Sequence, residues 1–315
     1  MRIKFLYKQD DSQVRKGSVV RRQRWSEILE DLGHEIIEDE VVQGKAELVI
    51  ALHAYKSSDL VFEFKQVNPE IPVFIAMTGT DLYMLDEAKS IRTLELSDRI
   101  IVSQEQTTEL IPEEFREKVA VIHPSVEIQD QILLDKSEQY FDVLVIGHLR
   151  AVKDSMRTAI ATRNLPSYSK IRVLHLGAIL EPEYNLLVEE ELEVNKRYKY
   201  LGELSKEEVS NHIGSSSLMV LSSKTEGLSN AICEAVALDL PVLCSRIDST
   251  IGMFGEGYPG FFEFEDTDEL RELLLRAEED EDFLDSLLSS AFILKKKIHR
   301  ESETRAWSKL LSNNF

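Results

Sequence analysis

The sequence predicts an α/β protein built from two doubly wound, parallel-sheet domains in series. Three observations carry that prediction. Short β-rich runs alternate with helical patterns from one end of the chain to the other. Most of these runs are continuously apolar, as strands covered by helices on both faces require. The alternation breaks once, at the polar stretch Glu127–Gln139, and then restarts. Length agrees, since 315 residues is about twice the usual single-domain size.

In the first half the strand runs are Ile3–Tyr7, Leu48–Leu52, Val73–Met77, Arg99–Val102 and Val119–Ile122, with helical stretches such as Arg22–Leu32 and Ser58–Val67 between them. In the second half they are Phe141–Ile146, Ile171–Leu176, Tyr198–Leu201, Leu218–Leu221 and Pro241–Cys244. The helical segments there are Ser155–Arg163, Glu183–Val194, Ser205–His212 and Ala231–Ala237. Ser205 and Glu208 have the spacing of a capping box, which fixes one helix start. After Asp266 the chain reads as helices, and Arg305–Leu311 is placed to cross back over the first domain. The expected division is 1–135 and 136–299, with a C-terminal helix at about 300–315 packing back on the first domain. Two such domains make a cleft, and ligands of open α/β sheets bind at the carboxyl ends of strands.

Composition bounds the function. Apolar residues are 43% and charged residues 30%, the make-up of a globular chain with an ordinary core. A net charge of −20 excludes a general nucleic-acid binder, because backbone affinity depends on Lys and Arg releasing counterions. Cys233 and Cys244 are too few for a disulfide framework and lie in segments that read as buried, so they are expected to be structural thiols. The N-terminus lacks an apolar signal core and no run reaches the ~20 apolar residues of a membrane span. A cytoplasmic protein without stable membrane insertion is expected.

The strongest candidate site is Glu226-Gly-Leu-Ser-Asn-Ala-Ile-Cys-Glu234, directly after Leu218–Leu221. Gly227 permits a tight strand-to-helix turn and Ser229 is a natural N-cap, so amides around Leu228 and Asn230 would face a ligand such as a diphosphate. Glu234 can accept two hydrogen bonds from a cis-diol and Glu226 can meet sugar hydroxyls; equally, both can be solvated side chains. A second candidate, Gly147-His-Leu-Arg150-Ala-Val-Lys153-Asp154, again follows a strand. Arg150 and Lys153 can neutralise a departing diphosphate without a metal. As surface cations at a helix start they would oppose the helix dipole.

In the first half, Arg15, Lys16, Arg21, Arg22 and Arg24 place five cations within ten residues around Gly17 and Ser18, in what reads as the loop after the first strand. Such a cluster focuses an anionic ligand in an acidic chain, or else is a solvated helix start. His53 and Thr78-Gly79-Thr80-Asp81 follow strands at the same edge, as a base and its neighbours or as structural residues. Tyr258-Pro-Gly-Phe261 is either a wall of the ligand site or a plain turn. No Gly-x-Gly-x-x-Gly fingerprint, Gly-rich phosphate loop, metal-placing Asp-x-Asp pair or Cys/His cluster occurs, so NAD, ATP and metal readings lose support.

At these residues the chain resembles glycosyltransferase family four, enzymes of the GT-B fold with two Rossmann-like domains. Glu226 and Glu234 match the two acids of that family's Glu-x7-Glu motif, and Lys153 matches its diphosphate lysine. Thr78–Asp81 resembles the family's His-Gly-Thr-Asp with Thr78 in place of histidine, and His148 stands where arginine is common, leaving Arg150 as its substitute. A closer resemblance, over almost the whole chain, is to the selenosugar synthases of selenoneine biosynthesis. It rests on Arg24-Trp25, Ala51-Leu-His-Ala54 with Lys56-Ser57, Thr78–Tyr83, Gly147–Asp154, Glu226-Gly with Asn230, and Tyr258-Pro-Gly260. Ser18, where those synthases carry asparagine, and Leu228 and Ser229 in the Glu226 loop depart from them.

The resemblance implies transfer from a UDP-sugar, UDP-glucose or UDP-N-acetylglucosamine, to selenophosphate or a similar anion. No metal or other cofactor and no nucleic-acid partner is implied. His53, Arg150, Lys153 and Glu226 would be catalytic. Gly147, Arg150, Lys153, Glu226–Asn230 and Glu234 would hold the donor in the C-terminal domain. Gly17, Ser18, Arg21, Arg24, His53 and Thr78–Asp81 would line the acceptor side of the N-terminal domain. The alternatives are a family-four transferase with a thiol, sugar or lipid acceptor, and a non-catalytic nucleotide-sugar-binding protein.

Overall fold

The structure is a computed structural model that describes residues 1–7, 17–37, 46–77, 80–85, 87–126 and 136–314. In chain order the first part runs β1 (Arg2–Leu6), α1 (Gly17–Asp31), β2 (Glu35–Ile37), β3 (Leu48–Leu52), α2 (Ser58–Val67), β4 (Val73–Ala76), α3 (Ala88–Leu96), β5 (Arg99–Val102) and β6 (Val119–Val121). The second part runs β7 (Phe141–Ile146), α4 (Arg157–Thr162), β8 (Ile171–Leu176), α5 (Tyr184–Val194), β9 (Tyr198–Gly202), α6 (Lys206–Ser215) and β10 (Leu218–Leu221). It continues through α7 (Asn230–Ala237), β11 (Val242–Ser245), α8 (Asp248–Phe254), β12 (Phe261–Phe262), α9 (Thr267–Glu279) and α10 (Glu281–Lys297), and α11 (Arg300–Ser312) closes the chain.

Two compact units result. Met1–Ser125 and His299–Phe315 form one, and Val126–Ile298 forms the other. The expected boundary near residue 135 lies in a stretch, 127–135, outside the described residues; the chain passes from the first unit to the second between Ser125 and Val126. Each unit holds a six-stranded sheet, ordered β2-β1-β3-β4-β5-β6 and β12-β11-β10-β7-β8-β9. All the pairings are parallel.

The continuously apolar strands are buried on both faces, as anticipated. In β3, Val49 and Ala51 join a core with Val61, Phe64 and Leu94, while Leu48, Ile50 and Leu52 face Trp25, Ile28 and Trp307. The two-residue period of a strand thus feeds two cores from one apolar run. α11 supplies part of the second, with Trp307 edge-on to Trp25 at 4.8 Å between ring centroids. In the other unit Leu174 and Leu176 of β8 face one core and Val173 the other.

Departures from the sequence reading have local causes. α1 begins at Gly17, so that glycine is the first helical residue and not part of a loop. α4 begins at Arg157, because Ala151–Lys153 makes a separate 3₁₀ turn closed by Asp154 in the left-handed region (φ 42°). Strands β2 and β12 and helix α3 were not anticipated. The capping box of α6 is present, with Ser205 Oγ accepting from the Glu208 amide and Glu208 bonding back to the Ser205 amide. Both cysteines are buried.

Candidate functional site

In the second unit, the loops after β7 and β10 meet at the carboxyl edge of the sheet. The Lys224 amide donates to Val152 O (2.9 Å), and Ser222 Oγ donates to Asp154 O (2.8 Å). This stitching sets Lys153 against Glu226, whose ion pair joins the two sequence motifs. Ser223 Oγ donates to the same Glu226 oxygen at 2.7 Å. Both members of the pair are largely covered, with side-chain exposures of 17% and 12%. A pair this sheltered is screened less than a surface bridge, so it holds both charges in place.

The Arg150 Nε is buried and has no hydrogen-bond partner among the described residues. Gly147 has nothing within 4 Å of where a Cβ would stand, so the backbone is open to close approach there. Ser229 is the N-cap of α7, its Oγ accepting from the Ile232 amide at 3.4 Å. The helix starts at Asn230, one residue before expectation, and its first amides have no intrahelical acceptor. Gly227 and Leu228 lie in the loop that leads to this cap. Glu234 is just over a turn into α7 and half-buried.

The first unit gathers a second polar group at the carboxyl edge of its sheet. His53 follows β3 with φ 74°, the left-handed region that a non-glycine residue adopts at a cost. Its Nδ1 accepts from the Lys56 amide (3.4 Å) and lies 3.7 Å from Asp81 Oδ2, which itself accepts from the Ala54 amide at 2.9 Å. Asp81 is fully buried in a 3₁₀ turn, Thr80–Met84. Burial lowers the His53 pKa, with the Asp81 charge opposing it, so the imidazole is neutral at neutral pH.

The cation cluster differs from expectation. Arg15, Lys16, Thr78 and Gly79 lie outside the described residues, as do the side chains of Gly17, Ser18 and Thr80. Arg21 donates from Nη1 to Met77 O (2.6 Å) and from Nη2 to Ser103 Oγ (3.0 Å), and burial pulls its pKa down to about 10. It remains a cation at neutral pH and keeps unused N–H groups. Arg22 lies over the Tyr7 ring. Arg24, expected to face an anion, pairs instead with Glu303 of α11 at 2.9 Å, its side chain only 11% exposed. The reason is local: Glu303 is buried, accepts from Trp25 Nε1 (2.7 Å) and the Ser125 amide (2.7 Å), and needs a cation beside it.

Tyr258 takes the plain structural role. It is buried, stacks on Phe254 at 4.0 Å and donates to Val242 O at 2.7 Å. Three residues outside the motifs of the sequence reading stand close to the candidate loops, namely Ser223, His175 and Gly177. A histidine inside the apolar run Ile171–Leu176, followed at once by glycine, is the one signal that could have drawn attention to the last two.

Among the described residues no three His, Cys, Asp or Glu side chains gather so as to hold a metal ion. None of the described helices is long and apolar enough to cross a membrane.

Comparison with curated protein sequences gives no significant match. Solved structures share the fold over the whole chain. Sucrose-phosphate synthase from Thermosynechococcus elongatus aligns with a TM-score of 0.79 at 13% identity, covering 100% of this chain and 99% of that one. The Anabaena protein HepE in complex with UDP-glucose aligns at 0.77 with 15% identity, covering 99% and 100%. A glycosyltransferase from Rickettsia africae aligns at 0.75 with 12% identity, covering 98% and 97%. The two parallel-sheet units are therefore those of the GT-B fold. The model of the family "Glycosyl transferases group 1" matches residues 127–291, more than half of the chain and the whole stretch carrying Lys153 and Glu226, and the protein belongs to that family.

Proposed function

We propose that the protein transfers a sugar from a UDP-sugar, with the donor diphosphate held by Arg150, Lys153 and the start of α7. The observation that carries this is the Lys153–Glu226 pair at the sheet edge, with Arg150, whose buried Nε has no hydrogen-bond partner among the described residues, three residues before Lys153 in the same loop. As the acceptor attacks the anomeric carbon, the bond from that carbon to the diphosphate oxygen breaks and UDP leaves with the electron pair. Lys153 and Arg150 stabilise the charge that develops on it, in place of a metal. Glu226 orients sugar hydroxyls and Glu234 the ribose diol. HepE, a protein of the same fold, binds UDP-glucose, which supports the donor class.

For the acceptor we propose selenophosphate, on the sequence resemblance and on Arg21, a half-buried cation with unused donors near Asp81 and His53. With Nδ1 accepting from the Lys56 amide, neutral His53 carries its proton on Nε2, and its proposed role at that edge is to orient the acceptor by a hydrogen bond. A second reading, an ordinary acceptor such as a thiol or sugar hydroxyl, is favoured by one observation: Arg24 is spent on Glu303, which leaves the expected anion cluster smaller.

Mass spectrometry of products separates the two. UDP-glucose or UDP-N-acetylglucosamine with selenophosphate is expected to give UDP and a sugar carrying the selenium isotope pattern. Release of UDP only with thiol or hydroxyl acceptors would establish the second reading, and failure to turn over any UDP-sugar would leave a binding protein.

A further inference from the structure

We infer that His175 is a positioning residue for the donor loop: through the Gly147 carbonyl it sets the segment that carries Arg150 and Lys153. The inference rests on the donor-site reading above and goes beyond it, because His175 lies in strand β8 and belongs to none of the motifs that suggested that site.

A fully buried imidazole within an apolar strand is costly unless both ring nitrogens are bonded. Here both are. Nε2 lies 3.1 Å from Gly147 O, and Nδ1 lies 2.8 Å from the Tyr198 hydroxyl. A carbonyl can only accept, so Nε2 carries the proton and donates to Gly147, while Nδ1 accepts from Tyr198. Burial pulls the His175 pKa down to about 4, so this arrangement holds throughout the neutral range.

The surroundings interlock the same two loops. A Cβ at Gly177, which has φ 149°, would stand 2.2 Å from Gly147 O, so only glycine lets the backbones approach. Tyr200 donates to Gly177 O at 2.7 Å, the Leu149 amide to Ala178 O at 2.9 Å, and the Ala178 amide to His148 Nδ1 at 3.0 Å. Two tyrosines of edge strand β9, Tyr198 and Tyr200, thus fasten the end of β8. His175 carries that order one strand further, to the Gly147 peptide. The far end of the segment is held by Lys224 and Ser222, so Arg150 and Lys153 lie between two anchored points. Packing alone does not require this, since a phenylalanine could fill the space without a polar group.

The test is calorimetric UDP titration, which reports affinity separately from the fraction of competent protein. His175→Phe removes the donor to Gly147 and should weaken UDP binding about tenfold, raising the donor KM with acceptor KM unchanged. His175→Gln keeps an N–H near the Nε2 position and should stay within about threefold of the parent. If His175→Phe does not fold, Tyr198→Phe serves, since it frees Nδ1 and the tautomer; about threefold weaker UDP binding is expected. A folded His175→Phe that binds UDP as tightly as the parent overturns the inference, as does His175→Gln falling with His175→Phe, or an unchanged Tyr198→Phe where that variant stands alone. A parent that binds no UDP overturns the donor-site reading, and this inference with it.

Discussion

Neutralising Glu226 should tighten the binding of free UDP. In the structure Glu226 holds Lys153 in a sheltered ion pair and receives a hydrogen bond from Ser223. A diphosphate arriving at Lys153 must compete with that carboxylate and also meets its negative charge. Two unit charges 4 Å apart interact by about 4 kcal/mol at an effective dielectric of about 20. Most of this is offset, because Lys153 can bridge both anions and some solvent reaches the pair, with 17% and 12% of the side chains exposed. A net release of about 0.7–1.4 kcal/mol remains, a factor of about 3 to 10 in Kd. Glu226→Gln is the right perturbation, since its amide oxygen still accepts from Ser223 and leaves the loop as it is. Titration calorimetry of UDP should show the tighter Kd while turnover of the UDP-sugar falls, because the same carboxylate is the group proposed to orient the sugar. Unchanged or weaker UDP binding in a folded Glu226→Gln would refute the placing of the diphosphate at Lys153.

Other outcomes follow from the same geometry. Glu303→Ala strips the buried Arg24 and Trp25 of their acceptor and should destabilise the protein by about 3–5 kcal/mol in urea unfolding, with Glu303→Gln milder. Arg21→Ala should raise the selenophosphate KM and leave UDP affinity within about twofold, whereas Arg24→Ala should act mainly on stability, with each read by steady-state kinetics beside a thermal melt. With Arg150 and Lys153 supplying positive charge, turnover should persist in excess chelator, and an absolute need for magnesium or manganese would contradict that role. His175 has a folded pKa of about 4 against 6.5 unfolded, so only the unfolded chain takes up a proton between those values. The part of stability that depends on neutral His175 is present above pH 6.5 and falls by about 3 kcal/mol as pH drops to about 4. Urea unfolding at pH 7 and pH 4.5 should show a smaller loss in His175→Gln than in the parent.

Much of the fold was legible because both sheets are parallel and covered on both faces, which turns strands into unbroken apolar runs such as Leu48–Leu52 and Leu218–Leu221. The edge strands β2 and β12 escape that logic. Strand β2 is three residues, none of them fully buried, and β12 is two, too short for any period to register. Helix α3 begins at Ala88 without a side-chain cap, so no start signal marks it. The Lys153 and Glu226 loops were legible as separate motifs, each with glycine and charge after a strand, but the direct pairing of the two charges was not. That contact joins residues 73 positions apart and depends on the chain folding back through the β7–β10 strand pairing. Arg24 was misjudged for a related reason. Its partner Glu303 lies far along the sequence in α11, and a lone buried acid in a helical pattern looks like a solvated one.

Titration of UDP into the parent protein and into Lys153→Ala is the most direct measurement of the central claim. One UDP site per chain is expected in the parent and binding about 10- to 100-fold weaker in the variant, the loss of one charge-assisted hydrogen bond. A parent without measurable UDP binding, or a folded variant with the parent's affinity, would contradict it.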